Sequence, residues 1–374
     1  MRLRHFALAA VGTAAFAGAG LTATTPALAS PHGNQTFIGG LHRTKLVAST
    51  VPRNGDVNPY GVAVVKHSQG RLQRGSVLVS NFNNKKNLQG TGSTIVQVSP
   101  SGQRTVFAKI SMRGLPGRCP GGIGLTTALV IVHNWVIVGS LPTTDGMAAT
   151  AKAGCLLVLD NRGQVRETFS GHGINGPWDA TAITHGRQAS LFVTNVLNGT
   201  VAAKGMVVHR GTVLRLGLGF RAGQLPSLQR ITTVGSGFAQ RTDPAALVIG
   251  PTGLGIGRHG NLFVADTGMN RITVIKNAIT RTNSVGTGKV VTSGRFLNAP
   301  LGLAIAPNGS TLTVNGGNGR IVETNPGNGQ QVSRFLDRSG HPPGSGALFG
   351  LAVTPNRHGV YYVDDAVNTL RLLF

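Results

Sequence analysis

The stretch Gly250-Pro-Thr-Gly-Leu-Gly-Ile-Gly-Arg-His-Gly-Asn-Leu-Phe-Val-Ala-Asp-Thr-Gly-Met-Asn-Arg-Ile-Thr-Val-Ile275 reads as three short strands joined by two tight turns. Val, Ile, Leu, Phe and Thr suit a pleated, half-buried surface, and His259-Gly260-Asn261 and Thr267-Gly268 supply turn chemistry. A unit this small cannot bury its own apolar faces, so it implies copies stacked beside it.

The copies are present on both sides. Downstream, Ala299-Pro300-Leu301-Gly302 opens a strand, Pro307-Asn308-Gly309 turns, and Thr311-Leu-Thr-Val314 and Arg320-Ile321-Val322 follow. Leu348-Phe-Gly350, Val360-Tyr-Tyr-Val363 and Leu370-Arg-Leu-Leu373 repeat the order once more. Upstream, Pro59-Tyr-Gly61, Ile123-Gly124-Leu125 and Pro177-Trp-Asp179 each precede two further strand-like runs. Taking Gly61, Gly124, Asp179, Gly253, Gly302 and Gly350 as equivalent, the spacings are 63, 55, 74, 49 and 48 residues. A period near fifty with variable loops is what propeller blades produce. The expected fold is therefore all-β: a six-bladed β-propeller of four-stranded antiparallel blades. The last copy stops at Phe374 after a third strand, and Thr44-Lys-Leu-Val-Ala-Ser-Thr50 stands unassigned ahead of the first. That N-terminal strand is expected to complete the last blade and close the ring, which removes the open sheet edges.

The run Leu262-Phe-Val-Ala-Asp-Thr-Gly-Met-Asn-Arg-Ile272 resembles the NHL repeat, with its Asp, its Gly-Asn turn and its Arg-Ile strand start; partial matches fall at 315–321 and 365–370. NHL-like and gluconolactonase-like (SMP-30-like) propellers share this architecture, and the resemblance implies binding proteins, lyases or metal-dependent hydrolases. Gluconolactonase-like members hold a divalent metal in the channel through a Glu, Asn and Asp set. Where that Glu belongs this chain reads Asn58-Pro-Tyr-Gly61, and its only glutamates, Glu167 and Glu323, stand elsewhere. Hard cations want several converging oxygens, so no cofactor is expected, with a divalent metal as the alternative. NHL-like lyases use a histidine set, but His172, His185 and His341 are scattered.

The first residues carry Arg2, Arg4 and His5, an apolar small-residue run over 6–21 and Ala27-Leu28-Ala29 before Ser30, the pattern of a cleaved export signal. The expected organisation is a signal peptide at 1–29, a flexible segment at 30–43 and a propeller at 44–374, secreted to a periplasm or beyond. With 35 Lys and Arg against 11 Asp and Glu, the formal charge is +24. Such a surface attracts polyanions, or serves solubility alone. Export argues against specific nucleic acid. A polysaccharide, an anionic envelope polymer or a protein is the expected partner, and a monomer the expected state. Cys119 and Cys155, the only cysteines, suggest one disulfide.

In such blades the 2–3 loops and blade-to-blade connections share one rim, and the 1–2 turns the other. The long irregular segments 81–93, 141–154, 195–211 and 236–249 all fall on the first rim, the expected functional face. The candidate contacts are Asn83, Asn84, Lys85 and Lys86 in the first loop, Arg113 and Arg118 near the disulfide, and Trp178 with Asp179 at the channel. Asn81, Ser140, Asn195, Asp266, Asn315 and Asp365 end the second strands. They read as turn caps, or as a ring facing the channel. No nucleophile elbow, P-loop or paired-carboxylate motif appears in its proper context. The expected role is binding or scaffolding; the alternative is a metal-dependent lyase or lactone hydrolase.

Overall fold

The computed structural model describes residues 36–374; the expected export signal lies outside them. They form six antiparallel sheets arranged as blades around an axis. Blade 1 holds Val57–Val64, Val77–Asn83, Thr94–Val98 and Arg104–Lys109, and blade 2 holds Leu125–Val132, Trp135–Ser140, Cys155–Leu159 and Val165–Phe169. Blade 3 holds Gly176–His185, Gln188–Val196, Val208–Gly219 and Ser227–Asp243, with Leu247–Ile249 as a fifth short strand. Blade 4 holds Pro251–Ile256, Leu262–Asp266, Arg271–Ile275 and Lys289–Ser293; blade 5 holds Pro300–Ile305, Thr311–Asn315, Arg320–Thr324 and Gln331–Phe335. Blade 6 takes Leu348–Val353, Val360–Asp364 and Thr369–Leu373 from the C-terminus, and Thr44–Ser49 from the other end of the chain. Thr44 pairs with Leu373 and Ser49 with Thr369, so the ring closes as expected.

Middle strands are apolar on both faces because neighbouring blades pack against each side of the sheet. Cys155–Leu159 is buried throughout, whereas the outer strand Arg104–Lys109 exposes Arg104, Thr105, Val106 and Lys109. Charged edge strands of this kind discourage sheet-to-sheet association.

Each innermost strand is bulged where it starts. In blade 1 Pro59 pairs with Asn81 and Val62 with Val79, leaving Tyr60 and Gly61 opposite one residue. Asp179, Gly253, Gly302 and Gly350 occupy the place of Gly61 in their blades. Glycine there lets neighbouring backbones touch. A Cβ on Gly350 would overlap the carbonyl oxygen of Tyr60, and one on Gly302 that of Phe349. Blade 2 differs from expectation. Leu125 pairs with Ser140 and Leu129 with Val138, so the bulge is one residue longer. Ala128 therefore precedes the resumed pairing, and Gly124 lies outside it, donating its N–H to Ser140 Oγ at 2.9 Å.

Of the expected 30–43 segment, residues 30–35 lie outside the described residues and 36–43 are docked. Glu323 accepts the N–H groups of Phe37 (3.0 Å) and Ile38 (2.8 Å), while Arg334 donates to the carbonyls of Ile38 and Gly39. Ile38 is buried against Leu312, Val314 and Tyr362. Opposite ends of a few peptide dipoles are thus held by opposite charges.

Candidate functional site

The two rims of the ring are built differently. The long loops do share one rim, but they fold over the channel mouth and fill it. Tyr60 stacks on Phe349 at 4.0 Å between ring centres and on Phe82 at 4.6 Å, with Trp178 tilted at 5.9 Å. Leu141 and Ala151 from one loop, Leu197 from the next, and Leu247 with Val248 from the blade 3 extension complete the cluster. Gln89 reaches across to donate to the carbonyl of Pro244, and Thr143 donates to that of Gln89. Cys119 and Cys155 form the disulfide, with Cα atoms 5.2 Å apart, at the outer foot of these loops.

The expected contact residues separate accordingly. Trp178, expected at the channel, is 4 % exposed and packs within the plug. Its bulge aims the ring inward, onto hydrocarbon. Asn83 is buried and donates to Asn87 Oδ1 at 2.7 Å, and Asn84 accepts from the N–H groups of Lys86 and Leu88, so both shape the loop. Lys85, Lys86, Arg113 and Arg118 are exposed.

The polar residues ending the second strands tie the incoming chain. Asn195 accepts from Asn175 and Gly176 N–H and donates to Gly173 O; Asn81 donates to Thr50 O; Asn315 donates to Phe296 O. Asp266 pairs with Arg271 at 2.8 Å. In blade 6 the register assigns this place to Asp364, opposite Leu348, and not to Asp365. Burial pushes the Asp364 carboxyl up to about 6 and that of Asp365 to about 7; Asp337 adds to the first and Asp364 to the second.

On the opposite rim the channel is open. A cavity of about 550 Å³ runs between the innermost strands from Asp179, Gly302 and Gly350 outward to Lys66, His67 and His133. Its walls are Val, Leu, Ile, Ala and Thr with exposed backbone, and Asp179 is the one carboxylate lining it. Asp179 Oδ2 accepts from Leu254 N–H at 2.9 Å and Oδ1 from Ala180 N–H at 2.8 Å, which straps blade 3 to blade 4. Burial pushes this carboxyl up to about 7.

Charge follows the same division. Five of the six 1–2 turns present Lys66, His67, Arg71, Arg74, His133, His185, Arg187, Arg258, His259, Arg357 and His358, all exposed, and none of the six carries Asp or Glu. Asp56, Asp145, Asp243, Asp266, Asp337, Asp364 and Asp365 lie at the plugged rim, whereas Asp160 in the 3–4 turn of blade 2, Asp179 in the channel and Glu323, which accepts from Asn308 of the blade 5 turn, stand on the open side. Sequence reasoning missed this asymmetry, although sorting charges by turn type would have exposed it. It also missed two long connections on the open rim, at 65–76 and 276–288. Among the described residues no cluster of three His, Cys, Asp or Glu side chains could hold a metal, and three ion pairs form.

A ring of six four-stranded blades closed by its N-terminal strand defines a six-bladed β-propeller. Among solved structures the chain is similar to a gluconolactonase from Xanthomonas campestris, at 13% identity and a TM-score of 0.52, covering 88% of this chain and 89% of that one. A putative gluconolactonase gives 16%, 0.52, 88% and 91%. A calcium-binding protein, regucalcin, from Agrobacterium tumefaciens gives 12%, 0.53, 88% and 93%. No family model and no curated protein matches the chain by sequence. Likeness at this identity shows the fold alone.

Proposed function

We propose that this protein is an exported binding protein that holds an anionic envelope polymer, such as an acidic polysaccharide, against its open rim. One observation carries the reading: the 1–2 turns around the open channel mouth present six Lys and Arg and five His with no carboxylate among them. Asp160 and Glu323 stand near these turns, but the excess of like charge still creates a positive field that steers and holds polyanions. Export is supported by the leader pattern, the Cys119–Cys155 disulfide, and the lack of a helix long and apolar enough to cross a membrane among the described residues.

Co-sedimentation with polygalacturonate, against neutral dextran as control, tests the proposal. The triple variant Lys66→Gln, Arg258→Gln, Arg357→Gln is expected to lose most binding, and added salt to weaken it in the parent. If removing Lys85, Lys86, Arg113 and Arg118 instead abolishes binding, the long-loop rim is the docking face. If the parent ignores both polymers, the polyanion reading is wrong.

A second reading rests on Asp179, a buried carboxyl in an open cavity with its pKa near neutrality, as in a hydrolase or lyase working in the channel. Both its oxygens already accept backbone N–H groups, which favours the strap. A stoichiometric divalent ion in purified protein, lost in Asp179→Asn, would favour the enzyme.

A further inference from the structure

Away from both channel mouths, a pocket of about 370 Å³ opens on the outer wall between blades 5 and 6. Leu41, His42 and Thr44 of the docked N-terminal segment form one side. Arg320, Ser333, Arg334, Phe335 and Arg338 of blade 5 and its exit loop form another, and Leu373 completes it. Three guanidinium groups and an imidazole thus share one depression, and no Asp or Glu lines it.

The positions of these cations are fixed by packing. Arg320 lies over the Phe335 ring at 3.7 Å and donates to Ser333 Oγ at 2.8 Å; Arg338 covers the same ring at 4.5 Å. Stacking holds guanidinium planes on an aromatic face while leaving edge N–H donors unused. Arg334 donates through Nε to the carbonyl of Ile38 and through Nη2 to that of Gly39, and the same Nη2 lies 3.3 Å from His42 Nδ1, which leaves Nη1. None of the three arginines forms an ion pair. The nearest acidic neighbour in sequence, Asp337, spends its oxygens on Ser339 N–H and Oγ. Cations that share a depression repel one another, and guanidinium N–H groups left over from the bonds to Ser333, Ile38 and Gly39 match a tetrahedral oxyanion.

We propose that this pocket binds a phosphate or sulfate group, free or as a monoester, held by Arg320, Arg338 and the unused Nη1 of Arg334 with His42 at its side. The anion bridges the N-terminal segment, blade 5 and its exit loop, so its binding latches the seam where the ring is closed. The site stands apart from the open rim and does not rest on polymer binding there.

Thermal unfolding of the full chain in low-millimolar sodium phosphate or sulfate, against sodium chloride at matched ionic strength, is the test. A ligand that binds only the folded state raises the midpoint with concentration. Calorimetric titration with inorganic phosphate and with a phosphate monoester then compares the free and esterified groups. Arg338→Gln, at an exposed residue making no hydrogen bond to the fold, is expected to weaken phosphate binding about tenfold, the loss of one charge-assisted contact. Arg320→Gln with Arg338→Gln is expected to erase the phosphate-specific shift, whereas the rim triple variant keeps it. If phosphate and sulfate act no differently from chloride, or the shift survives in Arg338→Gln and in the double variant alike, the site does not exist.

Discussion

The two ends of the channel use the same six strands to opposite purposes. At the loop-bearing end, the bulge residues Tyr60, Trp178, Leu301 and Phe349 point at the axis and are roofed by apolar loop residues. At the other end, connections that include the longer 65–76 leave the axis open and spread cations around it. Length of loop is thus no guide to access here. The elaborated end is where the ring is sealed, and the plain end is where a ligand can enter.

The largest test of this contrast is the plug itself. Trp178→Ala empties a buried aromatic site and should cost about 3–5 kcal/mol in denaturant unfolding, with Gly350→Ala comparably severe because of the Tyr60 carbonyl. If Trp178→Ala were near neutral, the sealed mouth would not be a core. Next comes the covalent foot of the loops. Replacing Cys119 and Cys155 by Ser should cost about 3–4 kcal/mol in the chain-entropy picture, read as a lower urea midpoint.

Glu323→Gln should cost roughly 1–3 kcal/mol by weakening the clip on Phe37 and Ile38, and should speed hydrogen exchange at those amides. Asp179 gives a pH signature. Its folded pKa lies above the unfolded value, so its contribution is fully present below about pH 4 and is lost as pH rises to about 7. The parent's stability should therefore fall across that window relative to Asp179→Asn, by at most about 1.4 kcal/mol per pH unit for one proton. Equal slopes would remove the carboxyl from the account. Smallest of all, neutralising Lys66, Arg258 and Arg357 should change stability by no more than about 0.5 kcal/mol, since all three are exposed and only Arg357 reaches a neighbour, the carbonyl of Pro307 at 3.4 Å.

Much of the fold was legible because each blade repeats a local pattern. Strand composition and turn residues sit within one stretch of chain, as at 250–275, and closure followed from a surplus strand at one end and a missing one at the other. The disulfide was legible because two cysteines allow one pairing. The rest depended on contacts between distant segments. Nothing near Leu141, Leu197 or Leu247 says that they meet over Tyr60. Thr126–Ala128 carries no mark of its extra bulge residue beyond the absence of Gly, and Asp364 and Asp365 differ only in register. The docking of Ile38 depends on Glu323, 285 residues away.

The pairing of Thr44–Ser49 with Thr369–Leu373 also imposes an order of events. Thr44–Ser49 can find its partner only after Thr369–Leu373 has been made, so blade 6 waits unfinished while the other five can assemble in turn. Loss of Thr369–Leu373 would leave Thr44–Ser49 an orphan and the circle with two raw edges.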